Sequence, residues 1–393
     1  MSAIDNLSPQ RLAELTGLVA LQQIEQLGPV GIAALLAKTG TVTQLLQQPP
    51  NLNTVVGLRI KAKQQLTGFL RHPRQSRLWI DAENALAWLA AQGHSVILKT
   101  DENFPKGLLE LDDCPPLIYC AGDTRLLKKS AISIVGTRKP SGGYGLLTER
   151  LASKLAAAGL AIISGMAVGI DAAAHRGALA VGGQTVAVWA TGLDIVYPPS
   201  HAALAQQIIQ QGCVITEMPV GTPALPSYFP RRNRLVSALG FGVLVVQAGL
   251  PSGSLITAHY AAEQNREVFA VPGSVQNPLS RGGHQLIKDG AVLVESEADV
   301  LAVINQRLTA YGLPIIGSGE QSRVGLDRSN NEIPALSPTL QTVLAAIGFD
   351  PSPFEVIEAR LSEPVEALSA ALVDLELEGL IQVIGGLYTR NYQ

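Results

Sequence analysis

Charge is scarce in this sequence. Asp, Glu, Lys and Arg make up 16% of its 393 residues and hydrophobic residues 47%. That balance excludes a disordered or supercharged polypeptide and leaves room for two or three domains with their own cores. Cysteine is nearly absent: Cys114, Cys120 and Cys213 form an odd set at no metal-ligand spacing and read as reduced core thiols. The six histidines are scattered and none makes an HExxH pair, so no metal site is expected. No apolar run is long. Leu235 to Leu250 covers 16 residues, broken by glycines and Gln247, against the roughly 20 a bilayer span needs, and reads as a helix end running into a buried strand. The first residues lack the basic start and apolar core of a secretory signal. The expectation is a cytoplasmic protein without a membrane contact or a cofactor.

The few charges are unevenly spread. Residues 1–130 carry 13 basic and 11 acidic side chains, 131–300 carry 11 and 10, and 301–393 carry 5 and 11. A polyanion is therefore least welcome on the last segment. Residues 1–75 have helical apolar spacing in Leu12, Leu15, Leu18 and Val19, then Ile32, Leu35 and Leu36. The turn Leu27-Gly28-Pro29-Val30-Gly31 resembles that of a helix-hairpin-helix (SAM-like) domain, whose next helix can face a phosphate, and equally suits a plain connector in a helical bundle. A second such turn is Val56-Gly57-Leu58, followed by Arg59, Lys61 and Lys63.

Within residues 76–304, nine short apolar runs alternate with helical spacers, from Ser95–Thr100 to Ala291–Val294. Strands apolar on both faces indicate an α/β, Rossmann-like, doubly wound and mostly parallel sheet. Residues 305–334 read as a linker, and 335–393 as three helices with a Gly385-Gly386 hairpin, the winged-helix layout.

Ligands of such a sheet collect at the carboxyl ends of its strands. There, Gly136-Thr137-Arg138-Lys139-Pro140-Ser141-Gly142-Gly143 combines glycines that admit an anion, a following helix and a guanidinium fork. The spacing is not the G-x-G-x-x-G of a dinucleotide site, and Gly177–Gly182 lacks the Lys and Ser/Thr of a Walker loop. Phe229-Pro230-Arg231-Arg232-Asn233-Arg234 sets three guanidiniums and an amide behind two adjacent aromatics, Tyr228 and Phe229. Rings that stack on bases and arginines that hold phosphates suit a single strand, whereas a solvated helix start is the plainer alternative. Ser252-Gly253-Ser254 makes a second anion nest or a simple helix cap. Asp171 with His175, and Asp194 near Tyr197, read as capping or positioning pairs, so no catalytic set is expected.

The succession VGTRKPSGGYG, SGMAVGIDAAAH, TGLDIVYPPSH, FPRRNR, SGSLITA, FAVPG and RGGHQLIKDGA, over about 160 residues, closely resembles the DNA-processing protein A (DprA, Smf) family. The resemblance implies a protein that binds and protects single-stranded DNA and loads a RecA-type recombinase in natural transformation and homologous recombination. It further implies a homodimer without catalytic activity. The family's DNA-contacting arginine falls on Arg138, and its F-P-x-R-N-R segment on Phe229, Pro230, Arg232, Asn233 and Arg234; the Lys many relatives place before it is missing from Thr222–Pro226. On this reading Arg138, Phe229, Arg232 and Arg234 line one groove. The winged helix departs from a duplex reader, since Glu363, Glu366, Asp374, Glu376 and Glu378 stand where a groove-entering helix needs cations. It is expected to contact protein or to act as a cap. A competing reading is a nucleotide phosphoribohydrolase-like enzyme with Glu263 as its acid, although Pro251–Ser254 lacks the paired glycines of that loop.

Overall fold

A computed structural model describes residues 4, 7–317, 336–347, 352–361 and 364–390. The chain opens with five helices: α1 (Pro9–Gln22), α2 (Pro29–Thr39), α3 (Val42–Gln47), α4 (Ile60–Arg71) and α5 (Arg77–Ala91). Ser8 caps α1 by accepting from the Arg11 amide, ahead of a proline whose fixed φ suits the first helical position. Gly28 caps α2, so Val30 and Gly31, expected in the turn, already lie in its first turn.

The nine apolar runs form one sheet of β1 (Ser95–Leu98), β2 (Leu117–Gly122), β3 (Ala131–Val135), β4 (Ala161–Ser164), β5 (Thr185–Val188), β6 (Cys213–Thr216), β7 (Gly242–Val245), β8 (Glu267–Ala270) and β9 (Val292–Leu293). Their order is β1-β2-β6-β5-β4-β3-β7-β8-β9. The stretch from β6 to β9 is parallel, while β2 runs antiparallel to both β1 and β6. The architecture is thus the expected α/β sheet with an antiparallel edge.

Strand periodicity of two divides the core into faces. Ala161 and Ile163 point one way, with Ile97, Ile118 and Val243, under α6 (Lys106–Leu109), α10 (Tyr228–Leu239), α11 (Gly253–Glu263) and α12 (Arg281–Lys288). Ile132, Ile134 and Ile162 point the other way, under α7 (Tyr144–Ala157), α8 (Ile170–Ala180) and α13 (Glu297–Ala310), with α9 (Ala202–Gln211) beside them.

That second face also carries the opening helices. One cluster runs from Leu15, Leu18, Leu21, Leu66 and Leu86 into Tyr119, Trp189, Ile208 and Val214 without interruption. The expected boundary at residue 75 therefore falls inside a shared core, to which α5 contributes Trp79, Ala82 and Leu89. Gln22 adds a polar tie: it accepts from the Tyr119 hydroxyl at 2.7 Å and donates to the Glu217 carbonyl at 3.4 Å. The boundary at 304 moves as well. A capping box of Ser296 and Asp299, with Val300, Ile304 and Leu308 buried four residues apart, carries α13 on to Ala310.

A smaller unit has its own core of Val343, Ile357, Leu368, Leu372 and Leu375. It consists of α14 (Pro338–Ile347), α15 (Phe354–Ala359), α16 (Val365–Leu377) and the strands β10 (Ser352–Pro353), β11 (Ile381–Ile384) and β12 (Leu387–Arg390), in sheet order β10-β12-β11. Gly385 and Gly386, both at positive φ, make the two-residue turn that matches hairpin twist, completing the winged helix. Residues 318–334 of the expected linker, and the acidic Glu363, lie outside the described residues. Among the described residues no helix is long and apolar enough to cross a membrane.

Candidate nucleic-acid interface

From β3 the chain winds through β4, β5 and β6 on one side of the sheet and returns to β7 on the other. The crevice between the carboxyl ends of β3 and β7 is the switch point where open sheets take ligands. The loops that leave these strands are stitched together there. The Gln247 carbonyl accepts from the Thr137 amide at 2.7 Å, its side-chain oxygen accepts from the Ser141 amide at 2.9 Å, and its amide group donates to the Ser141 hydroxyl at 2.7 Å. Asn277, in the loop after β8, donates to the same hydroxyl at 2.9 Å. Gln247 is 2% exposed and serves as the hub of the rim. In the sequence its only trace is a lone polar residue in an apolar run.

This stitching leaves Arg138 and Lys139 exposed at the tip of their turn, with Gly136 buried at its base. Gly169, which caps α8 at φ +82°, backs directly onto the Arg138 backbone, where a side chain has no room. Asp171 in the first turn of α8 accepts from the amides of Gly165 at 3.1 Å and Ala167 at 3.3 Å, so it positions the loop that follows β4, while Gly169 takes the cap position of the helix. Burial pushes its carboxyl up to about 6, against the pull of the Arg232 and Arg138 charges.

The Phe229–Arg234 segment forms the start of α10, and the helix separates its arginines. Arg231 stays at the surface with its side chain 40% exposed. Arg232 and Arg234 are each 4% exposed, which corrects the expected open groove of Arg138, Phe229, Arg232 and Arg234. The reason is that α10 is enclosed from Arg234 to Ala238, and guanidiniums just past its first turn must find partners inside. Arg232 donates to the carbonyls of Gly165 and Val188, the ends of β4 and β5. A Cβ at Gly165 would sit 2.6 Å from that guanidinium, so a side chain there would push Arg232 away from these carbonyls. Arg234 pairs with Asp113 at 2.7 Å and with buried Glu217 at 2.8 Å. Asn233 donates to the Gly253 carbonyl at 3.3 Å, tying α10 to the next loop.

Phe229 is half-buried and meets Tyr197, 44% exposed in the loop after β5, at a centroid distance of 5.2 Å and an angle of 52°. Tyr197, expected only as a neighbour of Asp194, thus joins Phe229 in a ring pair. Ser252 acts as the cap of α11, accepting from the Ser254 amide at 3.2 Å, while Gly253 is exposed beside it.

The groups weighed for catalysis are otherwise engaged. His175 is buried against the Thr185 hydroxyl at 2.7 Å, and burial pushes its imidazole down to about 3, which keeps it neutral. Asp194 accepts from the Gly221 amide at 2.9 Å. Glu263 lies exposed at the far end of α11, 3.2 Å from His259, a helix length of about 15 Å from the rim. Among the described residues no group of three or more His, Cys, Asp or Glu side chains is placed to hold a metal ion.

The chain matches the family model for DNA recombination-mediator protein A over residues 95–305, and that for the DprA winged helix domain over residues 328–386. It is 38% identical over 336 residues to Protein Smf of Escherichia coli (strain K12), covering 85% of each chain. To the DNA processing protein DprA of Streptococcus pneumoniae (strain ATCC BAA-255 / R6) it is 43% identical over 202 residues, 51% of this chain and 71% of that one. The X-ray structure of DNA processing protein A from Streptococcus pneumoniae superposes with a TM-score of 0.57 at 32% identity, covering 77% of this chain and 98% of that one. Matched over its sheet and its winged helix, and along most of its length by a relative, the chain belongs to the DNA recombination-mediator protein A family.

Proposed function

We propose that this protein binds single-stranded DNA along the carboxyl edge of its central sheet and, as a homodimer, hands the strand to a RecA-type recombinase in the cytoplasm. The observation that carries the reading is the juxtaposition, on one rim, of an exposed Arg138-Lys139 turn braced by Gln247 with the Tyr197–Phe229 ring pair. Cations hold phosphates without regard to sequence, and rings stack on any base, so the rim suits a strand of arbitrary sequence. Arg231 supplies a further, partly exposed guanidinium from α10, which lies 3.6 Å from the Glu217 carboxylate. Binding rather than turnover is the activity proposed. The test is fluorescence anisotropy with a labelled single strand, the matching duplex and mononucleotides over a salt series. Arg138→Ala with Lys139→Ala is expected to weaken single-strand binding and to lower the salt slope by about 0.7 per lost phosphate contact. An unchanged affinity in that double variant counts against the proposal.

A further inference from the structure

The winged helix has a surface of the wrong sign for DNA that is exposed among the described residues. Leu368, Ala371, Leu372 and Leu375 of α16 enter the unit's own core. The outward side leaves Val373 and Leu377 exposed at 55% and 81%. Around them stand exposed Glu366, Asp374, Glu376 and Glu378, and α16 itself contains no lysine or arginine. An apolar centre inside a ring of carboxylates fits a partner with an apolar centre inside a ring of cations.

The rim of the sheet has that complementary chemistry. Leu250, in the loop after β7, is 55% exposed, and Val275, after β8, is 82% exposed. Arg138, Lys139 and Arg281 are exposed on the same edge. The three loops are continuous, since Ser141 bonds to both Gln247 and Asn277, and Gly249 packs beside Leu279.

We propose that the acidic, apolar face of α16 docks on this rim of the same chain and occupies the place of the DNA strand, so that the winged helix is a competitor of single-stranded DNA. The carboxylates stand in for phosphates, and Val373 and Leu377 cover Leu250 and Val275. Fully extended, residues 318–335 span about 60 Å, more than the roughly 50 Å width of a unit the size of the core. The inference rests on the DNA-binding reading of the rim.

The experiment compares single-strand affinity for the full chain, a Val373→Ser/Leu377→Ser variant, a Glu366→Gln/Asp374→Asn/Glu376→Gln variant, and a chain ending at Gly317. All substitutions lie outside the core of the winged helix. A rim covered nine-tenths of the time weakens apparent affinity about tenfold, so all three altered forms are expected to bind about tenfold tighter than the full chain, at every protein concentration. Equal affinity for all four forms overturns the docking while leaving the DNA reading intact. A gain that disappears on dilution assigns the contact to a second copy and also overturns it. Failure of every form to bind removes the DNA reading itself, and this inference with it.

Discussion

Two places on one sheet edge bear arginine, and they treat it in opposite ways. In the turn after β3, Arg138 stands in water on a loop held at Thr137 and Ser141 by Gln247 and backed by Gly169. At the start of α10, Arg232 and Arg234 are enclosed, one spanning the ends of β4 and β5 and the other held between Asp113 and Glu217. The first arrangement leaves a charge free to meet a ligand. The second uses charge to hold the loops that shape the site, because a guanidinium taken out of water is stable only when carbonyls or carboxylates meet it. A basic cluster can therefore serve a binding site from beneath as well as from its surface.

The comparison breaks most sharply at Arg234. Arg234→Ala leaves Glu217 buried without its closest partner, and removing one side of a buried pair costs about 3–5 kcal/mol, so urea unfolding should show a large loss of stability; a midpoint within error of the parent would mean the pair does not hold the edge. Arg138→Ala should leave that midpoint alone and lose about 1.5–3 kcal/mol of single-strand affinity, the range for a hydrogen bond to a charged group. Phe229→Ala and Tyr197→Ala should each lose about 1–3 kcal/mol, the worth of one stacked base, with the salt slope of binding unchanged; a lower slope would assign them to the phosphate path.

A further effect concerns pH. The Asp171 carboxyl is raised to about 6 by burial, above the ordinary 3.9 of an unfolded chain. A raised acid stabilises the fold below its unfolded value, and that contribution is lost as the pH rises through the folded one. Stability should therefore fall from pH 4 to above pH 6, and Asp171→Asn should flatten that slope. An unchanged slope in the variant would place the titration elsewhere.

Much of this molecule is legible along the chain. All nine strands of the central sheet coincide with short apolar runs; β3 to β7, buried on both faces, announce themselves over four or five consecutive residues, whereas β1 and β8 are partly buried and β9 is only two residues long. The winged helix is equally readable, its hairpin marked by Gly385-Gly386. The Arg138 turn stands out since glycines, a cation and a helix start follow one another within a dozen residues. Gln247, Tyr197 and Glu217 leave no comparable trace. Each takes its role from a partner on a distant segment: Ser141, Phe229 and Arg234. The shared core of the opening helices is hidden for the same reason, as helical spacing marks which side of α1 is apolar and not that Tyr119 and Trp189 will lie beneath it.

Local order determined the elements of this protein: periodicity two or nearly four, caps, and glycine at tight turns act between near neighbours, so the residues themselves dictate them. The orientation of the charges was decided by tertiary structure alone. Whether a guanidinium faces water or the interior depends on which carbonyls and carboxylates surround it, and for Arg232 and Arg234 those come from Gly165, Val188, Asp113 and Glu217, up to 121 positions away along the chain.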